Sequence, residues 1–173
     1  MGADITASLP SAASLCEAAE MLSRNVSAHA LASACLAQVE GAVTGFSGFV
    51  RTRSEQALGQ AAKLDKQRHE GAQCGPLHGV PLAHKDMFFQ EGELAECGSR
   101  ILSGFRPDHT ATVIQRLANA GAVDLGALHM AEFAMSPTGF NAHLGHGRNP
   151  WSQEHVTGGS SRGSGAAVAE RLV

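Results

Sequence analysis

The sequence has no apolar run long enough to span a bilayer and no segment dominated by charge of one sign. Its 173 residues are 43% hydrophobic and 17% charged, with a formal net charge of -3. A membrane-spanning helix needs about 20 apolar residues in a row, and nucleic-acid-binding domains usually gather Lys and Arg into a patch. We therefore expect a globular chain of about one domain that touches neither a membrane nor nucleic acid directly.

Cysteine is scarce and widely spaced. The four cysteines Cys16, Cys35, Cys74 and Cys97 form no CxxC pair, which argues against a structural zinc site and against a disulfide framework. The N-terminal stretch also lacks the basic start and apolar core of a secretory signal. Both absences favour reduced thiols and a cytoplasmic location.

Capping residues and apolar periodicity predict three helices in the first 72 residues. Ser14 opens an S-x-x-E capping box for a helix that runs to about Asn25. Ser27 is placed to cap a second helix and Ser54 a third. A brief strand is predicted between these two, over Gly48–Arg51.

Proline and glycine punctuate the chain after about residue 72 and favour short buried strands there. Val80–Met87 is expected to be extended, and a helix is expected to follow Asp108 and end near Gly121. Ala122–Leu125 then has the pattern of the next strand. This alternation of helices and strands predicts an α/β architecture with helices packed on a buried sheet.

A glycine- and serine-rich stretch, Gly158–Ser164, leads into an alanine-rich segment with helical character. Small residues let backbone N–H groups or a hydroxyl approach a ligand, and a helix N-terminus favours negative charge. A flexible linker is the alternative interpretation. A phosphate-binding P-loop is excluded, because Ser164 stands where that motif requires lysine.

Lys85 ends a short apolar stretch bounded by prolines. Poor solvation disfavours the ammonium form and lowers the pKa of a lysine, so that the neutral amine becomes available as a base. Paired with a serine, such an amine can replace histidine in the nucleophile arrangement of a serine hydrolase. The alternative is that Lys85 and Asp86 are an ordinary charged pair at the end of a strand.

Four motifs together resemble the amidase signature family of serine hydrolases. They are GPLHGVPLAHKDMF, LHMAEFAM, GRNPW and TGGSSRGSGAAVA, in this order, and the resemblance extends over nearly the whole chain. It implies an amidase signature fold, a mixed sheet flanked by helices, in a single domain. Residues 1–72 would be its N-terminal helical part and residues 73–173 the start of its catalytic α/β core.

The resemblance also implies roles for individual residues. Lys85 matches the family's general base, and Ser160 matches the serine that relays the proton and follows an unusual cis peptide bond. The family's nucleophile is another serine, in a second Gly-Gly-Ser triplet further downstream, and the 173 residues contain no second triplet. Ala134, Met135 and Ser161 are predicted to line the cleft, although Ser161 could instead cap the following helix.

Several residues depart from the family pattern or invite other interpretations. Arg162 stands where the family usually has glycine, which puts the geometry of the loop in question. His84 precedes Lys85 where an apolar residue is commoner, and strand alternation should turn it to the opposite face. Glu132 is expected to be a structural hydrogen-bonding acid. The histidines near His143 lack a companion carboxylate or cysteine motif, so no metal site is predicted.

The leading hypothesis is therefore hydrolysis of a carboxamide C–N bond through an acyl-serine intermediate, without a cofactor. The expected partner is a small-molecule amide, and a homo-oligomer is left open. Because the nucleophile is missing, the sequence is expected to be the first portion of an amidase, a truncated product or an incomplete reading, and inactive alone. The alternatives are a non-catalytic truncated fragment and the glutaminase subunit of a tRNA-dependent amidotransferase, with a preference for a free-standing amidase.

Overall fold

In the computed structural model, which describes residues 14–41 and 48–173, the helices and strands alternate along the chain. Their order is α1 (Leu15–Ser23), α2 (Ala28–Glu40), β1 (Phe49–Thr52), α3 (Ser54–His69), β2 (Pro81–Lys85), α4 (Thr112–Asn119), β3 (Val123–Leu128) and α5 (Arg162–Ala169). A 3-10 turn, Glu132–Ala134, lies between β3 and α5.

Side-chain caps begin the first two helices as predicted. The Ser14 hydroxyl accepts a hydrogen bond from the Glu17 N–H at 3.2 Å, and the Ser27 hydroxyl accepts one from the Ala30 N–H at 3.0 Å. The prediction for Ser54 is wrong, because Ser54 is the first residue of α3 and the preceding Arg53 makes no capping bond. These caps satisfy N–H groups that have no partner within the helix.

The three strands form a mixed sheet in the order β1-β3-β2. β3 is antiparallel to β1 and parallel to β2. The expected mixed sheet flanked by helices is therefore confirmed. Because β1 belongs to the first 72 residues and pairs with β3, the N-terminal part and the later part share one sheet, and the division after residue 72 stays a prediction.

Two strand boundaries differ from those predicted. β2 ends at Lys85 rather than Met87, because the chain turns there and Lys85 C=O accepts from the N–H groups of Met87 at 2.7 Å and Phe88 at 3.1 Å. β3 continues through Gly126, where the sequence predicted an end. A Cβ on Gly126 would lie 2.2 Å from the Arg51 carbonyl oxygen, so this glycine allows β1 to approach.

The core has two parts. The larger part packs α1, α2 and α3 against the sheet, with buried residues that include Leu31, Leu36, Ala57, Val123 and Leu125. The smaller part joins α2, β3 and α5 through Val39, Leu128, Ala167 and Leu172. This second part brings α5 next to the ends of β2 and β3. Within the described residues, no helix is both long and apolar enough to cross a membrane.

Candidate active site

Lys85 is held by its position at the end of β2. The strand runs parallel to β3, with Lys85 opposite Leu128, and the Asp86 N–H donates to the Leu128 carbonyl at 3.0 Å. These main-chain contacts fix the last residue of the strand, while its half-buried side chain extends toward α5. The sheet thus positions the amine without help from a flexible loop.

The Lys85 amine meets the Ser160 hydroxyl. Their Nζ and Oγ atoms are 2.6 Å apart, and both side chains are half-buried. The peptide bond between Gly159 and Ser160 is cis. The structure therefore brings together the two residues for which the resemblance implied a base and a relay, although they are separated by 75 positions in the sequence.

Burial determines the electrostatics of Lys85. Loss of solvation disfavours the ammonium form and lowers the pKa of Lys85 from its ordinary value. The neutral amine therefore forms at a lower pH than in a solvated lysine. A neutral amine in contact with a hydroxyl can accept the hydroxyl proton, which is the chemistry that a general base requires.

Main-chain hydrogen bonds hold the Gly-Ser loop, residues 158–164, against the segment that continues from β3. The Ala131 N–H donates to the Ser160 carbonyl at 3.0 Å, and the Gly163 N–H donates to the His129 carbonyl at 2.9 Å. The His129 N–H in turn donates to the Gly48 carbonyl at 2.8 Å. These bonds fix the backbone on both sides of Ser160, which argues against the interpretation of this loop as a flexible linker.

Gly163 allows this close backbone approach, and its replacement gives a testable prediction. A Cβ on Gly163 would lie 2.3 Å from the His129 nitrogen and 2.4 Å from the Gly48 oxygen. We expect Gly163→Ala to lower the free energy of unfolding by about 1–3 kcal/mol, because backbone would have to move. Urea unfolding of the purified chain measures this change.

Gly165 is the matched control, because it lies two residues later in the same helix and its Cβ would meet nothing within 4 Å. Gly165→Ala should raise the free energy of unfolding by up to about 1 kcal/mol, since alanine is the better helix former. Equal unfolding midpoints for the two variants would contradict the packing described for the loop.

Asp86 is not part of an ordinary surface pair. Its side chain is 1% exposed and forms an ion pair with Arg51 of β1, which also contacts Glu96 at 2.8 Å. Burial raises the pKa of Asp86, and the Arg51 guanidinium opposes that rise. The sequence analysis missed Arg51 altogether, because nothing in the local pattern links β1 to the residue after β2.

Arg162 enters the structure as a buried side chain against His129. It is the first residue of α5, which begins three residues before the expected helix start at Gly165. Its Nε donates to His129 Nδ1 at 3.0 Å. A Cβ on Gly139 would lie 2.9 Å from the Arg162 Cβ, so Gly139 leaves room for the arginine. His129 was missed as a partner, although it lies within the LHMAEFAM motif.

The three predicted cleft residues lie on two segments. Ser161 is exposed and precedes α5, but its side chain makes no capping hydrogen bond, so the capping alternative is wrong. Ala134 ends the 3-10 turn and has a positive φ of 61°. Met135 follows it and is 84% exposed. Their role in a cleft stays a prediction.

Two further expectations concern polar side chains around the site. Glu132 accepts hydrogen bonds from Ser99 at 2.6 Å and from His143 at 3.1 Å, as expected for a structural acid. His84 faces away from Ser160, with its Nδ1 at 3.3 Å from Asp124. Among residues 14–41 and 48–173, no group of three or more His, Cys, Asp or Glu side chains could hold a metal ion.

Comparison with known proteins yields related sequences and structures. The Amidase family model matches residues 30–173. A subunit of the glutamyl-tRNA(Gln) amidotransferase of Azotobacter vinelandii is 48% identical over 143 residues, which are 83% of this chain and 29% of that protein. A bacterial aryl acylamidase of the amidase signature enzymes superposes with a TM-score of 0.86 at 26% identity, over 92% of this chain and 34% of that one. The peptide amidase of Stenotrophomonas maltophilia gives 0.79 at 36% identity, over 90% and 33%.

The fold and the family match together define an amidase signature protein, as the resemblance implied. The chain belongs to the Amidase family. It spans about a third of the length of the relatives that it matches.

Proposed function

We propose that this chain supplies the base and the proton relay of an amidase that hydrolyses a carboxamide C–N bond. The observation that carries the proposal is the 2.6 Å contact between Lys85 Nζ and Ser160 Oγ, in surroundings that lower the pKa of the lysine. A buried lysine in contact with a serine is one of the arrangements that activate a serine nucleophile. Membership of the Amidase family supports the choice of the amide bond.

The proposed reaction uses this contact twice. The neutral Lys85 amine takes the Ser160 hydroxyl proton, and Ser160 in turn takes the proton of a nucleophilic serine that the family resemblance places downstream. The serine oxygen attacks the carboxamide carbon, and the tetrahedral intermediate collapses to an acyl-serine while the leaving amine receives the proton back through Ser160. Water then hydrolyses the acyl-serine, with Lys85 again accepting a proton.

A second candidate is the glutaminase activity of a tRNA-dependent amidotransferase. It is favoured by the 48% identity with a protein named as a glutamyl-tRNA(Gln) amidotransferase component. The peptide amidase and the aryl acylamidase among the structural relatives favour a free-standing enzyme instead. Both candidates use the same Lys85 and Ser160 chemistry and differ in the amide that is cleaved and in the need for partner subunits.

Alone, the 173-residue chain is expected to release no ammonia from carboxamides, because it contains no second Gly-Gly-Ser triplet. The measurement is ammonia release by the purified chain, with the Ser160→Ala variant assayed beside it. Turnover by the chain that disappears in Ser160→Ala would show that it carries its own nucleophile. In that case the non-catalytic alternative and the proposed division of roles would both be wrong.

The experiment that tests the proposal restores the downstream region. The chain is continued at Val173 by the part of the Azotobacter vinelandii relative that follows the match, and the product is called the extended polypeptide here. We expect it to hydrolyse carboxamides, and Ser160→Ala to lower kcat by about 100-fold or more. Ser164→Ala, four residues further along, is the control and should keep its activity.

The substrate panel separates the two candidates. Hydrolysis of peptide or aryl amides without partner subunits favours the free-standing amidase, whereas glutamine hydrolysis that appears only with amidotransferase partner subunits favours the second candidate. A folded extended polypeptide in which Ser160→Ala hydrolyses amides as fast as the parent would overturn the proposed relay.

A further inference from the structure

Arg162 and His129 form a buried pair directly beside the candidate active site. Arg162 is 1% exposed and His129 is 5% exposed, so each side chain is more than nine-tenths buried. Arg162 lies two residues after Ser160, and His129 lies two residues before Ala131, whose N–H binds the Ser160 carbonyl. The pair therefore runs alongside the main-chain bonds that hold the relay serine.

The hydrogen-bond pattern defines the state of the His129 ring. Its Nε2 lies 3.1 Å from the Leu144 carbonyl, which can only accept, so Nε2 carries the proton. Its Nδ1 is then a bare acceptor for the Arg162 Nε–H at 3.0 Å. Burial and the neighbouring guanidinium both lower the pKa of His129, which keeps the ring neutral. A protonated ring would turn two donors toward Arg162 and Leu144, and the contact with Arg162 would be lost.

The position of the guanidinium is unfavourable by itself. It lies in the first turn of α5, where the helix dipole disfavours a cation, and burial lowers the pKa of Arg162 to about 10. A flexible arginine would leave such a place for solvent. Its burial against His129 indicates that the pair holds a particular loop geometry and does not maximise stability.

The pair joins three separate segments. Arg162 belongs to the start of α5, His129 to the extension of β3, and the Leu144 carbonyl to the loop that follows the 3-10 turn. Packing against Gly139 adds a fourth contact on that same loop. Loss of the pair would therefore free the loop on the side of Ser160 that faces away from Lys85.

We propose that Arg162 and His129 are positioning residues, which lock the Gly-Ser loop over Lys85 so that Ser160 stays in contact with the amine and water stays away from it. The inference rests on the Lys85–Ser160 contact of the proposed function but not on the reaction. Its test is therefore made on the 173-residue chain without any assay of turnover. Failure of amide hydrolysis would leave the test intact.

The test compares two replacements of His129 by NMR. His129→Gln keeps one acceptor and one donor, and His129→Phe fills similar space with neither. The titration of Lys85, followed through its Cε resonance, should stay below the ordinary lysine value in His129→Gln and move back toward it in His129→Phe, because water reaches the amine. Ile114→Ala, in α4, is the control: it should lower stability without shifting the Lys85 titration.

The wild-type chain gives an independent readout, since the ¹⁵N shifts of His129 report which ring nitrogen carries the proton. We expect Nε2–H with a bare Nδ1. A proton on Nδ1, or a folded His129→Phe chain whose Lys85 titrates as in the wild type, would overturn the proposal. If His129→Phe does not fold, the wild-type tautomer and the His129→Gln titration decide, and a Lys85 titration at the ordinary value in His129→Gln would overturn it equally.

Discussion

Lys85→Met is expected to lower kcat for amide hydrolysis by the extended polypeptide by about 100- to 10,000-fold. This is the usual contribution of a positioned general base. Methionine has nearly the same length as lysine and fills the half-buried site, but it cannot accept the Ser160 proton. KM should change little, because the amine touches the relay serine and acts on the proton. Steady-state kinetics with a saturable carboxamide measure both parameters.

Lys63→Met is the matched control for this prediction. Lys63 is an exposed lysine on α3, so the same substitution there removes a charge without touching the site. Its kcat should equal that of the parent polypeptide. A Lys85→Met variant that folds and keeps kcat within about threefold of the parent would show that Lys85 is not the base.

The second large effect is expected on stability, from Arg51→Met. Arg51 is the counter-ion of Asp86, whose carboxylate is almost fully buried, and removal of one partner of a buried pair leaves an uncompensated charge. The free energy of unfolding should fall by about 3 kcal/mol, measured by urea denaturation at neutral pH. A second change, Asp86→Asn, should recover part of the loss, because a neutral amide needs no counter-ion.

Arg24→Met supplies the control. Arg24 also forms an ion pair, with Glu20, but the two side chains are 75% and 56% exposed. Solvent screens such a pair, so its loss should cost less than about 1 kcal/mol. Equal losses in Arg51→Met and Arg24→Met would mean that Asp86 does not depend on Arg51 for its burial.

The main elements of the fold could be predicted because their signals are local. Ser14 and Ser27 each precede a run with helical apolar spacing, and each caps a helix in the structure. The extent of β3 was underestimated for a physical reason. A glycine usually marks the end of a strand, but Gly126 lies inside β3 because the backbone of β1 passes where its side chain would be.

The two principal site residues could be predicted from motifs, whereas their supports could not. Lys85 and Ser160 each lie in a short stretch with an unusual composition. The Arg51–Asp86 and Arg162–His129 contacts join residues 35 and 33 positions apart, without any spacing rule to connect them. Arg162 stood out only as a residue where the family usually has glycine, and its burial against His129 became visible only in three dimensions.

The central claim is that Lys85 provides a neutral amine in contact with the Ser160 hydroxyl. Its most direct test is the NMR titration of Lys85 in the wild-type 173-residue chain. Because burial disfavours the ammonium form, the Lys85 pKa should lie below the ordinary value of 10.5, and the neutral fraction should rise at lower pH than in a solvated lysine. A Lys85 titration at or above 10.5 would contradict the account.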